Sequence, residues 1–185
     1  MFREQRFTPP TPGHDATPRL RRLGPADAEA LAVLRRAVTA RDPVGMGLSA
    51  EEEAARPLDG FRKQLGYPVP NASFGAFVRG ELVGTASIAW PGRFPSTRHK
   101  ATLWGVCVAP PVRGRGMGRA LVQHALDHAR SQGARRVNLT VYLPNPAATA
   151  LYRSLGFLPA GLEPEALCLG GRYHDSELWS LLFRA

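Results

Sequence analysis

The chain has 185 residues, 44% of them hydrophobic and 21% charged, with two cysteines. That is the length of one domain with one sizeable core, and it excludes wholesale disorder, a disulfide scaffold and a four-cysteine zinc site. The formal net charge is +9, and no apolar run approaches the ~20 residues of a membrane-spanning helix.

Residues 1–17 hold mixed charge and several prolines with little apolar periodicity, which predicts a flexible tail ahead of a domain over residues 18–185. The tail has no apolar core of a secretory signal, so a cytoplasmic address is the expectation. A short strand is predicted at Arg19–Leu23. Gly24-Pro25-Ala26-Asp27 starts a helix on which Ala30, Leu31, Leu34 and Val38 recur at helical spacing. Asp42 to Leu48 reads as loop. Ser49 with Glu52 forms a capping box opening a second helix that carries Phe61 and Leu65.

Ser73–Arg79 and Leu82–Trp90 flank Gly80 as a β-hairpin, and Ala101–Ala109 is a further strand closed by Pro110-Pro111. A helix follows to about Gln132, its buried stripe being Leu121, Val122, Ala125, Leu126 and Ala129. Val137, Leu139, Val141 and Leu143 alternate with polar residues as a half-buried strand. Asn145-Pro146 opens a short helix that Gly156 stops, and two antiparallel strands turn at Gly170-Gly171. The result is a mixed α/β sheet in one domain.

The positive charge suggests a polyanionic partner. Yet Lys63 and Lys100 are the only lysines, and the Arg, Ala, Gly and Pro richness is what a GC-rich coding sequence produces. The basic residues are scattered, apart from short clusters such as Arg19, Arg21 and Arg22, and no aromatics interleave with them. Neither nucleic acid nor membrane is expected as a partner. His124 and His128 have the spacing of a zinc pair, but no third ligand is evident and no metal is expected.

The strongest chemical signal is the strand–turn–helix unit from Val106 to Arg119. The first turn of a helix leaves backbone N–H groups unpaired at the positive end of its dipole. Gly114, Gly116 and Gly118 let an anion approach closely, and Arg113, Arg115 and Arg119 add planar donors. Met117-Gly118 is not the Gly-Lys-Ser/Thr ending of a P-loop, and Gly-x-Gly-x-Gly is not the dinucleotide spacing. A glycine-rich connector with solvated arginines is the plain alternative.

Arg113-Gly114-Arg115-Gly116-Met117-Gly118 resembles the Arg-x-x-Gly-x-Gly signature of the GNAT superfamily of N-acetyltransferases. The segment Asn145 to Phe157, with Tyr152 seven residues after Asn145 and ending Leu155-Gly156-Phe157, is similar to a second motif of that family. The resemblance implies a mostly antiparallel mixed sheet flanked by helices and splayed at its central strands. It implies acetyl-CoA as co-substrate. The diphosphate would rest on the N–H groups of Arg113, Gly114, Arg115, Gly116, Met117, Gly118 and Arg119. The pantetheine arm would pair with the backbone of Val106 and Val108, and Asn145 would hold the other side.

By the same resemblance, Tyr152 is the general acid for the departing thiolate, although Leu151, Tyr152 and Leu155 would also make an ordinary apolar stripe. The backbone N–H of Cys107 or Val108 is the candidate oxyanion donor, and the Cys107 thiol is expected to be inert. Many family members carry a glutamate on the central strand, where this chain has Leu103-Trp104-Gly105. A water chain, Glu81, His99, His174, Asp175 and Glu177 remain as bases. Trp90, Phe94 and Trp104 are candidate linings of an acceptor pocket. The expected function is acetyl transfer to a small-molecule or peptide primary amine by direct attack, with a catalytically silent CoA-binding module as the alternative. A homodimer stays open.

Overall fold

Two helix-start signals follow the first strand, and together they yield four helical segments. The computed structural model describes residues 18–92 and 94–184; the expected tail at 1–17 lies outside the described residues. After β1 (Arg19–Arg22), a 3-10 turn at Pro25–Asp27 leads into α1 (Ala28–Thr39). The stretch expected as loop contains a one-turn helix, α2 (Pro43–Met46): Asp42 accepts from Gly45 N, Pro43 sits at the first helical position and Gly47 takes the left-handed cap at φ +72°. The Ser49–Glu52 capping box is formed in both directions, but it opens only α3 (Ala50–Ala55). Pro57 holds Arg56 extended and breaks the run, so that Phe61 and Leu65 fall on a separate helix, α4 (Leu58–Leu65).

The remaining elements are β2 (Ala72–Val78), β3 (Glu81–Ala89), β4 (Lys100–Val108), α5 (Met117–Ser131), β5 (Arg136–Tyr142), α6 (Pro146–Ser154), β6 (Leu158–Leu169) and β7 (Arg172–Leu182). They form a seven-stranded sheet in the order β1-β2-β3-β4-β5-β7-β6. Every pairing is antiparallel except β4 with β5. Neighbouring residues of a strand point to opposite faces. Thus Phe74 meets the rings of His124 and His128 on α5, whereas Ser73 and its partner Ser87 face the α1 side. The stripe on α5 is buried as its spacing predicts, through Leu121, Val122, Ala125, Leu126 and Ala129.

The central strands part because β4 carries a bulge. Thr85 lies opposite Cys107 and Ser87 opposite Trp104, so Gly105 and Val106 together face Ala86. Gly105 adopts φ +61°, a conformation that suits glycine. Pairing of β4 with β5 is confined to Lys100–Arg136, Ala101–Val137 and Thr102–Asn138. Beyond it β5 stays paired with β7 as far as Tyr142–Ser176, and β4 leaves it. This opening is the splay that the family resemblance implies.

On the α1 face the apolar stripe contains a charge. Ala28, Leu31, Leu34 and Val38 are buried, Ala30 faces outward, and Arg35 is buried beside them. Glu53 of α3, fully buried, receives Arg35 in a two-pronged pair: Nε to Oε1 at 2.9 Å and Nη2 to Oε2 at 2.7 Å. Arg56 adds a third contact to Glu53 Oε1 at 3.2 Å. Removing one partner of such a pair strands a buried charge and costs about 3–5 kcal/mol. Glu53→Ala is therefore expected to lower unfolding stability by about that amount in urea titration. The joint replacement Arg35→Met with Glu53→Leu should restore most of the loss.

Candidate active site

The turn entering α5 is built from left-handed glycines. Gly114 and Gly116 adopt φ +77° and +76°, and Gly116 is the N-cap of α5. Ala120 N bonds to Gly116 O, and among the described residues the backbone N–H groups of Gly114 to Arg119 find no backbone partner. No protein atom lies within 4 Å of where a Cβ at either glycine would project. The turn thus presents open, positively polarised N–H groups.

These groups border a cavity of about 490 Å³ in the opening of the sheet. It is lined by Val106, Cys107, Val108, Arg113, Gly114, Gly116, Met117, Gly118, Arg119, Asn145 and Tyr152. The structure therefore gathers every expected site residue except Arg115, which does not line it. Residues that the sequence reading missed complete it: Val38, Asp42, Gly45 and Met46 form one wall, and Ala148, Leu151 and Ser154 of α6 form another. The Asp42-Pro43 dipeptide was a readable helix start and the one signal for the first of these walls.

The arginines of the turn differ in their duties. Arg113 Nε donates to Val108 O at 2.9 Å, and its Nη2 lies 3.9 Å from Asp42. Arg119 Nη1 donates to Ser154 Oγ at 2.7 Å, tying α5 to α6. Asn145 Oδ1 accepts from Ala148 N at 3.1 Å and caps α6, which leaves its amide N–H₂ as the donor toward the cavity.

The ladder decides which β4 amides face the opening. Ala109 N bonds to Val83 O on β3. Hydrogen-bonding residues alternate along an antiparallel pair. Val108 therefore turns its N–H and C=O toward the opening, where Arg113 takes the carbonyl, and Cys107 turns its own toward β3. The Cys107 thiol is buried, and that burial pushes it up to about 11, so it stays protonated at neutral pH.

Tyr152 sits where this cavity meets a second one of about 270 Å³. The second is lined by Arg35, Met46, Thr102, Trp104, Gly105, Val106, Thr140, Tyr142 and Tyr152, among others. Tyr152 is buried, and desolvation alone pushes its phenol far above the ordinary tyrosine range. Among the described residues, no Asp, Glu or His lines the second cavity. Glu81 and His99 are exposed. His174 Nδ1 donates to Leu143 O, Asp175 accepts from Glu165 N, and Glu177 accepts from Trp179 Nε1. Of the three aromatics, Trp104 lines the second cavity, Trp90 borders a separate hollow beside it, and Phe94 is exposed. His128 donates to the Pro70 carbonyl at 2.8 Å, and among the described residues no group of three ligand-type side chains could hold a metal. No described helix is long and apolar enough to cross a membrane.

The architecture matches a solved GNAT-family acetyltransferase from Streptococcus pneumoniae with a TM-score of 0.73 at 26% identity, over 90% of this chain and 100% of that one. An opened sheet above a glycine turn that starts a helix thus places the protein among the acyltransferases. It belongs to the acetyltransferase (GNAT) family, whose model matches residues 39–157. It is an N-acetyltransferase, and the family's acetyl donor is acetyl-CoA. Streptothricin acetyltransferase of Streptomyces lavendulae is 31% identical over 170 residues, covering 83% of this chain and 88% of that protein. N-alpha-acetyltransferase RimI of Mycobacterium tuberculosis is 42% identical over 106 residues, covering 57% of this chain and 63% of that protein.

The residues present fit this donor: a run of unpartnered N–H groups suits a diphosphate, and Val108 offers an amide along the opening. Gly116→Ala tests the turn. It should cost about 1–2 kcal/mol of stability through the left-handed φ. Calorimetric titration should also show CoA affinity falling more than about tenfold, the equivalent of one charge-assisted hydrogen bond.

Proposed function

We propose that the protein transfers an acetyl group from acetyl-CoA directly to a small primary amine, with Tyr152 as the acid that protonates the departing thiolate. The observation that carries this reading is the position of Tyr152, a buried phenol bordering both the long cavity and the smaller one. The long cavity takes the thioester carrier and the smaller one takes the acceptor amine.

The turn from Arg113 to Arg119 holds the diphosphate through its N–H groups, with Arg119 fixed against Ser154. The backbone of Val106 and the outward backbone of Val108 lie along the pantetheine arm, and the Asn145 amide contributes from the opposite side. Arg113 keeps the Val108 carbonyl occupied and so leaves the Val108 N–H as the free donor. That N–H stabilises the oxyanion as the amine nitrogen bonds to the thioester carbon. Cys107 contributes cavity wall only, because its thiol is protonated and its polar backbone belongs to β3.

As the carbon–sulfur bond breaks, Tyr152 gives its proton to the sulfur, and the phenolate takes back the proton that the attacking nitrogen sheds on becoming an amide. A thiol in water has a pKa near ~8.5, below that of a phenol. The transfer is supported by the same desolvation acting on the thiolate, which raises its proton affinity in the closed cavity. With no carboxylate or imidazole among the described residues that line the acceptor cavity, the amine loses its proton to water. The Arg35 guanidinium assists by disfavouring a second cation beside it.

The acceptor is a compact amine. A volume of about 270 Å³ lies at the lower edge of the ~300–1,000 Å³ of ordinary ligand clefts. The relatives named above are a streptothricin acetyltransferase and an N-alpha-acetyltransferase, so streptothricin and α-amines both belong in a substrate panel.

Tyr152→Phe should lower kcat about 10²–10⁴-fold in a thiol-release assay while leaving acetyl-CoA binding intact. An unchanged kcat removes Tyr152 from the chemistry. The pH dependence gives a second check. The raised phenol stays protonated past pH ~10, so it imposes no alkaline loss below that value. The rise of kcat/KM with pH should instead follow the pKa of whichever acceptor is used. A rise that stays fixed when the acceptor is exchanged identifies a base on the protein.

A further inference from the structure

We infer that the acceptor carries a carboxylate close to its reactive amine, and that the free edge of Arg35 binds it. This rests on the acetyl-transfer reading and names the acceptor class for that site.

Arg35 is 6% exposed, an unusual place for a guanidinium unless its donors are used. Glu53 uses two of its nitrogens, Nε and Nη2. The third, Nη1, has no hydrogen-bond partner among the described residues. It points at Gly105, lying 3.5 Å from where a Cβ on that glycine would stand. Gly105 is the bulge residue of β4, and Arg35 and Gly105 both line the 270 Å³ cavity. The bulge that parts the sheet therefore also clears the space in front of Nη1.

A buried pair needs only one edge of the guanidinium, and the opposite edge presents two parallel N–H groups suited to a carboxylate. Glu53, Arg35 and Arg56 sum to one positive charge, and among the described residues no Asp or Glu lines the cavity. An anionic group gains there, whereas an acceptor bearing several cations meets a fixed positive charge with nothing to offset it. The Glu53 pair locks the guanidinium, so little rotamer freedom is lost on binding. The cavity size fits an amino acid better than a folded chain end. An acceptor whose carboxylate lies one or two carbons from the amine would set that amine toward Tyr152, across the same cavity.

The test compares acceptors matched except at the carboxylate: free amino acids, their amides, the corresponding decarboxylated amines, short peptides, and a polyamine. Acetyl-CoA consumption is read as kcat/KM, and acceptor binding is read from the fluorescence of the tryptophans, Trp104 lying in the cavity wall. The inference predicts that free amino acids exceed their amides and amines by about 10- to 100-fold, the value of a charge-assisted hydrogen bond. The paired replacement Arg35→Met with Glu53→Leu, which removes both buried charges together and strands neither, should erase that preference through KM. Its KM for acetyl-CoA should not change. Amides, peptides or polyamines used as well as free amino acids, or no carboxylate-bearing amine bound or acetylated at all, would overturn it. A melting-temperature rise with CoA alone reports separately on the donor site, so the acetyl-transfer reading can survive that result.

Discussion

Past the Thr102–Asn138 pair, β4 has lost its neighbour on one side, and backbone groups exposed there need partners of another kind. One is met within the chain: Arg113 reaches back from the glycine turn to the Val108 carbonyl. The Val108 N–H and the amides of the turn itself are left open to the cavity. A ligand with acceptors in a row would complete at this gap what β5 abandons. The bulge at Gly105 creates the gap, Gly116 aims the helix at it, and the Asn145 cap starts α6 along its far wall.

The two ends of the opening handle charge in different ways. At the α5 end, main-chain N–H groups face the opening with little side-chain charge beside them, since Arg113 and Arg119 are both engaged by the protein. At the α1 end, a whole guanidinium is carried into the core and held by Glu53. Burying an ion pair is seldom a gain in stability by itself. Its presence in a stripe otherwise made of Leu31, Leu34 and Val38 is better explained by the direction in which it fixes Nη1. Tyr152 lines both cavities and so stands between the two ends, its phenol held protonated by burial.

The sequence disclosed the α5 end far better than the α1 end, for physical reasons. The glycine turn, its arginines, the α5 stripe and the Asn145 cap are local features, in which spacing along the chain is spacing in the structure. The break at Pro57 and the helical turn at Pro43–Met46 are also local, but the sequence reading runs one helix through Pro57, and it takes as loop a stretch where Pro43 and Gly47 are helix ends. Arg35 was hidden more deeply. Its partner is 18 residues away on another helix, and nothing in the periodicity of α1 states that a charge at a core position will be answered. The bulge was equally silent, since Gly105 needs its left-handed φ only because of a register set by β3.

The central claim is that exposed main-chain amides of the turn and of Val108 receive the thioester carrier. Amide proton and nitrogen shifts followed during CoA titration of the ¹⁵N-labelled protein test it most directly. The account predicts saturable, concerted movement of the Gly114 to Arg119 amides together with Val108, while Cys107, bonded to β3, moves less. Saturation of binding with those amides unmoved, and the shifts gathered elsewhere on the protein, would contradict it.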